Sequence, residues 1–522
     1  MSDASSRATR LDRWAPILVL LTASAWGLWC RSRLAESGIP FALPLDDSWI
    51  HLQFARNIAE GAGLAYRAPE WVAGSTAPLW TALLAIGSAL GVPLGWARLL
   101  GVACLAATAD VVRRLGLAMG LGRGLAGLAA LGGALAGPLL WGAFSGLEIP
   151  LFTLLSLLGI RLHLADRATG GLPRSLPVLA LAVLARPEGW LLLGLAILDR
   201  LFEAARRSAL GVRLGPTLAG LGTGLLAVGP VCLFSLAVSG SPFPSTLAAK
   251  SAGWAWWPEP ASLAAAARLL LAVAPLAAPL AVAGLALSLT PARRARSGPL
   301  PAAWLIGLPV ALSMIRSPAG PLLGNFGRYL YPLVPLVVLF AAVLLQALVD
   351  VAGSRPTVLR LAGAVAAVLL LVPTAASWAP GARLFVHNVR DVEAGDGSVA
   401  RWLAQRVPDD AVLAVHDVGR IGYEVPNPLV DLAGILNADV RAALRRGRMS
   451  GRWQEELLAV LERRRPDYLV VFPRFVPFVE APGVSFRLLH EVEIPGNITM
   501  GDDRIAVYST PWTRRARRGD GR

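Results

Sequence analysis

Five short stretches of this chain hold side chains suited to acid–base and anion chemistry. "LPLDDSWIHLQFARN" (43–57) carries the adjacent carboxylates Asp46 and Asp47, followed by His51. "SGLEIPLF" (145–152) carries Glu148, and "LARPEG" (184–189) carries Arg186 and Glu188. "SPFPSTLAAKSAG" (241–253) holds Lys250, the single lysine among 49 Lys and Arg residues. "GNFGRYLYPLVP" (324–335) holds Arg328 and Tyr329. Two neighbouring carboxylates can split their pKa values, one accepting a proton while the other orients it, or can share a divalent cation such as Mg or Mn. Guanidinium and ammonium groups suit a phosphate: arginine grips it as a planar fork, lysine as a compact point charge.

Each residue also has a plainer reading. Asp46 suits the cap of a helix starting at Ser48, Asp47 a partner for Arg56, and Glu148 the start of a helix at Ile149. Arg186 and Glu188 suit a structural ion pair, Lys250 an interfacial lysine, Arg328 a flanking arginine, and His51 a solvated helix face.

The elements that must position these residues are membrane helices. The 522 residues are 55% hydrophobic, with a mean hydropathy of +0.57, too apolar for a soluble chain of this length. Apolar runs near 14–30, 95–112, 124–143, 149–165, 175–185, 190–203, 214–238, 262–290, 299–315, 330–348 and 361–378 predict about eleven transmembrane helices. The net charge of +15 resides mainly in arginines at the ends of these runs. That pattern marks topology, not nucleic-acid binding. With the N-terminus cytoplasmic, Arg113, Arg114 and Arg123, then Arg161, Arg167 and Arg174, Arg200, Arg206, Arg207 and Arg213, Arg293, Arg294 and Arg296, and Arg355 and Arg360 fall in inner loops. All five chemistry-bearing stretches then fall outside. The count requires 77–92 to be a helix lying on the outer surface, begun by Ser75, Thr76 and Pro78. The segment 48–60 is a second such helix, with Ile50, Phe54 and Ile58 on one face and Gln53, Asn57 and Glu60 on the other. Segments 175–185 and 190–203 form a hairpin with "RPEG" at its tip. Cys30, Cys104 and Cys232 show no metal or redox spacing.

The ordered set "DDSWIHLQFARNIAEGAGLAY", "GSTAPLW", "SGLE", "RPEG", "P-x-T-x-x-AK" and "RYLYPLVP" resembles the GT-C superfamily. These are polytopic glycosyltransferases that use lipid-phosphate-linked sugars. Within it, the chain is similar to a bacterial branch with arabinofuranosyltransferases and relatives of protein mannosyltransferases. The resemblance covers about residues 10–380. It implies a 1–379 transmembrane catalytic module with surface helices at 48–60 and 77–92. The implied reaction moves a sugar, with inversion, from a polyprenyl-phosphate donor to a glycan, lipid or protein acceptor. The implied location is the bacterial inner membrane, with chemistry on the outer side. Nucleotide sugars are cytoplasmic, so an outer site needs a donor that crosses the bilayer, and a polyprenyl phosphate does so. Asp46 or Asp47 would be the base. Lys250, Arg328 and Arg186 would hold the lipid phosphate, with Glu148, Glu188, Tyr329 and His51 in support.

Residues 380–515 change character and predict an extracytoplasmic α/β domain, followed by a basic tail at 516–522. "DGSVARWLAQRVP" and "MSGRWQEELLAVLERRR" read as helices; "AVLAVHD", "PDYLVVF" and "RIAVYS" read as strands. The turn-rich "HDVGRIGYEVPNPLVDLAG" holds His416, Asp417 and Asp431, which read as sheet-edge loop residues before a metal site. Two other classes compete. A lipid-linked glycan flippase would line mid-membrane with polar residues and show internal repeats. A glycan polymerase or ligase would carry a large outer loop with paired arginines and a histidine.

Overall fold

The computed structural model describes residues 2–169, 172–206, 210–250, 253–316, 325–352, 356–481 and 485–513; the side chain of Lys250 and the basic tail lie outside the described residues. The helices, in chain order, begin with α1 Ser2–Ala35, α2 Asp46–Ala59, α3 Pro78–Ala89, α4 Pro93–Ala118, α5 Arg123–Ala134, α6 Gly137–Phe144 and α7 Ile149–Thr169. Next come α8 Ser175–Ala185, α9 Gly189–Arg206, α10 Leu210–Ser239, α11 Ser245–Lys250, α12 Pro260–Val273, α13 Ala277–Ser288, α14 Pro291–Ser297 and α15 Leu300–Met314. A 3₁₀ stretch Asn325–Leu333 leads into α16 Val334–Ala352, α17 Pro356–Ala376 and α18 Trp378–Val392. The π-turn Glu393–Gly397 joins α18 to α19 Ser398–Arg406; α20 Val418–Glu424, α21 Ala438–Ser450 and α22 Trp453–Arg464 follow. The chain divides into two compact units.

The first unit is Met1–Cys30, Ala97–Pro230 and Gly253–Arg383. Its helices pack closely where glycine removes a side chain: a Cβ on Gly284 of α13 would lie 1.8 Å from the Phe340 carbonyl of α16. On other faces apolar side chains point outward, among them Leu218, Leu225 and Leu226 of α10 and Leu361, Val365 and Val368 of α17, as lipid requires. Five helical stretches are long and apolar enough to cross a bilayer, and counting each of two bent pairs as one span gives up to seven among the described residues. The expected number of about eleven therefore rests on counting shorter helices too. Two expected spans are bent pairs: 124–143 bends by 54° between α5 and α6, and 262–290 by 111° between α12 and α13. Proline explains both bends. Ala274, before Pro275, leaves the helical region at φ −136° and ψ 63°, and Ala136, one residue further from Pro138, is extended at ψ 136°. The arginine clusters are not all solvated. Arg167 donates to Asp199 and Glu203, and His163 bonds Asp199 at 2.7 Å.

The second unit is Arg31–Trp96, Val231–Ala252 and Leu384–Arg522. Its five-stranded sheet has β5 Leu413–Val415, β6 Leu429–Asp431, β7 Tyr468–Val471, β8 Arg487–Glu493 and β9 Arg504–Ser509. The order is β6-β5-β7-β9-β8. β5 is parallel to β6 and β7, and β9 is antiparallel to β7 and β8. Smaller two-stranded pairs elsewhere are β1 Ala65–Arg67 with β2 Glu70–Trp71, and β3 Gly253–Trp254 with β4 Ile315–Arg316. Alternate residues of the five-stranded sheet face opposite cores. Ala414, Leu469 and Ala506 meet Val440, Leu444, Leu457 and Leu461 of α21 and α22. Leu413, Val415, Val470 and Val507 meet Val399 and Leu403 of α19, Ile421 of α20, and Ile50 and Phe54 of α2. The helix carrying the acidic pair is thus part of the core of the C-terminal domain.

Several expectations change here. The helix expected at 48–60 begins at Asp46, so Asp46 is its first residue, not a cap for Ser48. Its second face is not solvated: Gln53 Nε2 and Asn57 Nδ2 both donate to the Tyr66 carbonyl, at 3.0 Å, and both residues are buried. α3 falls within the expected 77–92 and starts at Pro78; Ser75 Oγ accepts the Ala77 amide and bonds Thr81. "MSGRWQEELLAVLERRR" is the end of one helix and the whole of another, broken at Gly451 with φ 72°. β6 and β8 were not expected. β6 is only three residues long, and β8 mixes charged and apolar residues without strict alternation on a largely exposed edge.

Candidate active site

The nine residues singled out in sequence fall into two groups, one in each unit.

The second unit holds Asp46, Asp47, His51 and Lys250. Asp46 turns its carboxylate onto α20: Oδ2 accepts the Gly419 amide at 2.9 Å and Oδ1 accepts the Arg420 amide at 2.6 Å. Asp417, the residue before α20, makes no side-chain cap and instead bonds His416 Nδ1 at 3.1 Å. Arg420 lies 4.0 Å from the ring centroid of Trp49 on α2 and pairs with Glu393 at 3.0 Å and Glu424 at 3.2 Å. Arg56 donates to the Tyr423 carbonyl at 3.1 Å and stacks on its ring at 4.5 Å. Tyr66 donates to the Val418 carbonyl, and Arg67 donates to the Gly422 and Val425 carbonyls. Burial, then the nearby Asp417, raises the Asp46 pKa well above the carboxylate range, while the Arg420 and Gly419 amides pull it back. Asp396, in the π-turn, is fully buried, and neither carboxyl oxygen has a hydrogen-bond partner among the described residues. Burial, Asp417 and Asp46 raise its pKa as well.

His51 is buried and bonds Thr81 Oγ1 at 3.2 Å, so it is not on the solvated face expected of it. α11 ends at Lys250. Its start is fixed by Ser245, which donates to the Ala73 and Ile435 carbonyls, and by Thr246, which donates to the Gly74 carbonyl.

The first unit holds Glu148, Arg186, Glu188, Arg328 and Tyr329. Arg186 ends α8 in an extended conformation. It donates to Glu148 Oε1 at 2.5 Å and to Glu188 Oε2 and Oε1 at 3.2 and 2.8 Å. Glu148 Oε1 accepts from Arg186. The turn that allows this needs glycine: a Cβ on Gly189 would lie 2.5 Å from the Val183 nitrogen. Arg186 and Arg328 both approach the Tyr329 ring, at 4.8 and 5.5 Å. Arg328 follows two left-handed residues, Phe326 at φ 64° and Gly327 at φ 68°. A non-glycine residue there is a strained choice. Tyr331 holds it by donating to the Phe326 carbonyl at 2.7 Å, and Trp141 packs on both rings.

Among the described residues no three His, Cys, Asp or Glu side chains come together to hold a metal ion. Both Asp46 oxygens are already engaged by amides. Asp46 and Asp47 are the residues that would hold the divalent cation expected from the sequence, and the chemistry proposed for the site does not depend on one. Asp431 likewise serves its own loop, accepting the Ala433 and Leu436 amides. Sequence reasoning missed Gly419, Arg420, Glu393 and Asp396. The usable signal was "EAGDGS" at 393–398, two acids among small residues following the amphipathic helix α18.

Residues 386–511 match a domain of unknown function, DUF8728. No curated protein matches the chain. Among solved structures, the apo oligosaccharyltransferase of Archaeoglobus fulgidus matches at 12% identity and a TM-score of 0.54, over 94% of this chain and 74% of that one. The same enzyme tethered to an acceptor peptide containing the NVT sequon matches at 13% and 0.57, with the same coverage. The archaeal oligosaccharyltransferase AglB in complex with an inhibitory peptide and a dolichol-phosphate matches at 13% and 0.52, over 88% and 70%. The likeness shows the fold alone: this chain shares the fold of that archaeal oligosaccharyltransferase.

Proposed function

We propose that this protein is a membrane glycosyltransferase that moves a sugar from a polyprenyl-phosphate donor to an acceptor hydroxyl outside the cytoplasm. The acceptor belongs to a cell-envelope glycan, a lipid or a protein, and the membrane is the bacterial inner membrane. The observation that carries this reading is the acidic pair just after the first long helix, held rigidly in a GT-C fold whose solved examples include one bound to a dolichol-phosphate.

The chemistry balances with the residues present. Asp47 accepts the proton of the acceptor hydroxyl as its oxygen bonds the anomeric carbon. The bond from that carbon to the phosphate oxygen breaks, and polyprenyl phosphate leaves with the electron pair. Asp47 is favoured over Asp46 as base because Asp46 already spends both oxygens on amides. Arg328 and Lys250 are assigned to the phosphate. Arg186 has its Nε, Nη1 and Nη2 engaged by Glu148 and Glu188, which supports a positioning task in place of the phosphate contact expected for it. Glu148, Glu188 and Tyr329 hold that arginine in place, and His51 braces α2 against α3.

The test is turnover by the purified full chain in lipid nanodiscs. The substrates are a panel of polyprenyl-phosphate hexoses and pentoses, and the readout is mass spectrometry of released polyprenyl phosphate. Asp47→Asn is expected to slow release by about 10²–10⁴-fold, the usual weight of a general base. Release by no donor above the Asp47→Asn background would overturn the reading.

A further inference from the structure

We propose that the C-terminal α/β domain is the positioning element of the acidic pair: the amides of Gly419 and Arg420 clamp Asp46, and the clamp sets where Asp47 stands. The role assigned to Asp47 rests on the glycosyltransferase reading above; the clamp itself does not.

A helix leaves its first amides without intrahelical partners, and a side-chain oxygen just before it normally accepts one. In α20 those amides belong to Gly419 and Arg420. Asp417 stands at the cap position and does not use its carboxylate there. Asp46, more than 370 residues earlier, accepts both amides. Asp46 is also the first residue of α2, so one carboxylate joins the starts of two helices. Asp47 follows it directly, about 1.5 Å up the axis and about 100° round it. The direction of the Asp47 side chain is therefore set by whatever fixes Asp46.

Two further observations show that the contact has one geometry. A Cβ on Gly419 would lie 2.0 Å from the Asp46 carbonyl oxygen and 2.6 Å from its Oδ1. No residue but glycine leaves Asp46 where it is, because the nearest atom is backbone. The rest of α20 is tied to 46–67 as well: Arg420 on Trp49, Arg56 on Tyr423, Tyr66 to Val418, and Arg67 to Gly422. Stability alone does not explain the choice of acid. Ser or Asn caps a helix about as well without placing a second acid beside Asp417. A carboxyl places two acceptor oxygens on one planar group and so takes both amides at once, where Ser or Asn offers a single acceptor oxygen, and that is what positioning needs.

The experiment follows hydrogen–deuterium exchange of the 418–424 amides, and kcat and donor KM, in the full-length wild type, Asp46→Asn, Asp46→Ala, Gly419→Ala and Asp47→Asn. Asp46→Ala and Gly419→Ala are expected to speed exchange across α20 and to lower kcat about 10²-fold, the cost of a roughly 1 Å misplacement. Donor KM is expected to stay within about twofold, because the phosphate contacts lie elsewhere. Asp46→Asn keeps one acceptor oxygen and is expected to fall between wild type and Asp46→Ala. Asp47→Asn is expected to lose turnover with α20 exchange unchanged. Wild-type exchange and kcat in Gly419→Ala overturn the proposal. So does an Asp46→Asn as inactive as Asp47→Asn with α20 still protected, which makes Asp46 the base. If Gly419→Ala fails to fold, the Asp46 variants decide. If wild type transfers no sugar, the enzymatic reading falls, and exchange in Asp46→Ala still decides the clamp.

Discussion

Asp46, half-buried, and Asp396, fully buried, are both acids with raised pKa values, yet they differ in what satisfies them. Asp46 has two amides; Asp396 has Arg420 nearby but no hydrogen-bond partner among the described residues, with Asp417, Asp46 and Glu393 all adding negative charge. A carboxyl whose folded pKa is raised holds its proton more tightly folded than unfolded. Its contribution is most favourable below the ordinary carboxylate range and is lost as pH climbs towards the folded value. Asp396→Asn removes that loss. The variant's melting temperature in detergent, relative to wild type, is expected to rise as pH climbs above the ordinary carboxylate range, and a pH-independent difference would refute it. The acidic pair itself was legible from its types and its place after the first helix. Its partners were not, because a backbone amide has no residue signature and the contact from Asp46 to Gly419 spans most of the chain.

At the scale of elements, the hairpin of α8 and α9 shows which features a sequence carries. "RPEG" signals a turn, since proline and glycine flank the acid, and α8 and α9 meet there. The length of a straight span was harder to read. "LAVAPLAAPLAV" is apolar throughout, and hydropathy alone does not register that Pro275 bends it by 111°. The hairpin is pinned to the start of α7 by Arg186 and its two carboxylates, all largely buried. Removing one member of such a network leaves uncompensated charge and costs about 3–5 kcal/mol. Arg186→Met is therefore expected to lower the melting temperature sharply. Adding Glu148→Gln and Glu188→Gln to that variant is expected to recover part of the loss. Recovery would show that the cost lies in the stranded carboxylates; no recovery would assign it to packing lost around the arginine stem.

For the whole molecule, the first cue was where the charge sits. Forty-eight arginines and one lysine in a chain of mean hydropathy +0.57 leave membrane helices as the only economical reading, and the outward-facing leucines of α10 and valines of α17 agree with it. The α/β domain was legible as a class from its strands. That α2 completes its core was not, because Ile50 and Phe54 look equally suited to a membrane surface. The arginine rule makes one further commitment: the loop around Arg294 is cytoplasmic and the domain beyond residue 380 is outside. Both Arg294 and Asp409 are exposed side chains. In a chain with Cys30, Cys104 and Cys232 replaced, Asp409→Cys is expected to react with a membrane-impermeant maleimide in intact cells from which the outer membrane has been stripped. Arg294→Cys is expected to react only after lysis. The reverse pattern would put the acidic pair, carried on a helix of that domain's core, on the side where nucleotide sugars are available. A lipid-phosphate donor would then lose its rationale, since its value lies in carrying a sugar across the bilayer that the enzyme itself does not reach through.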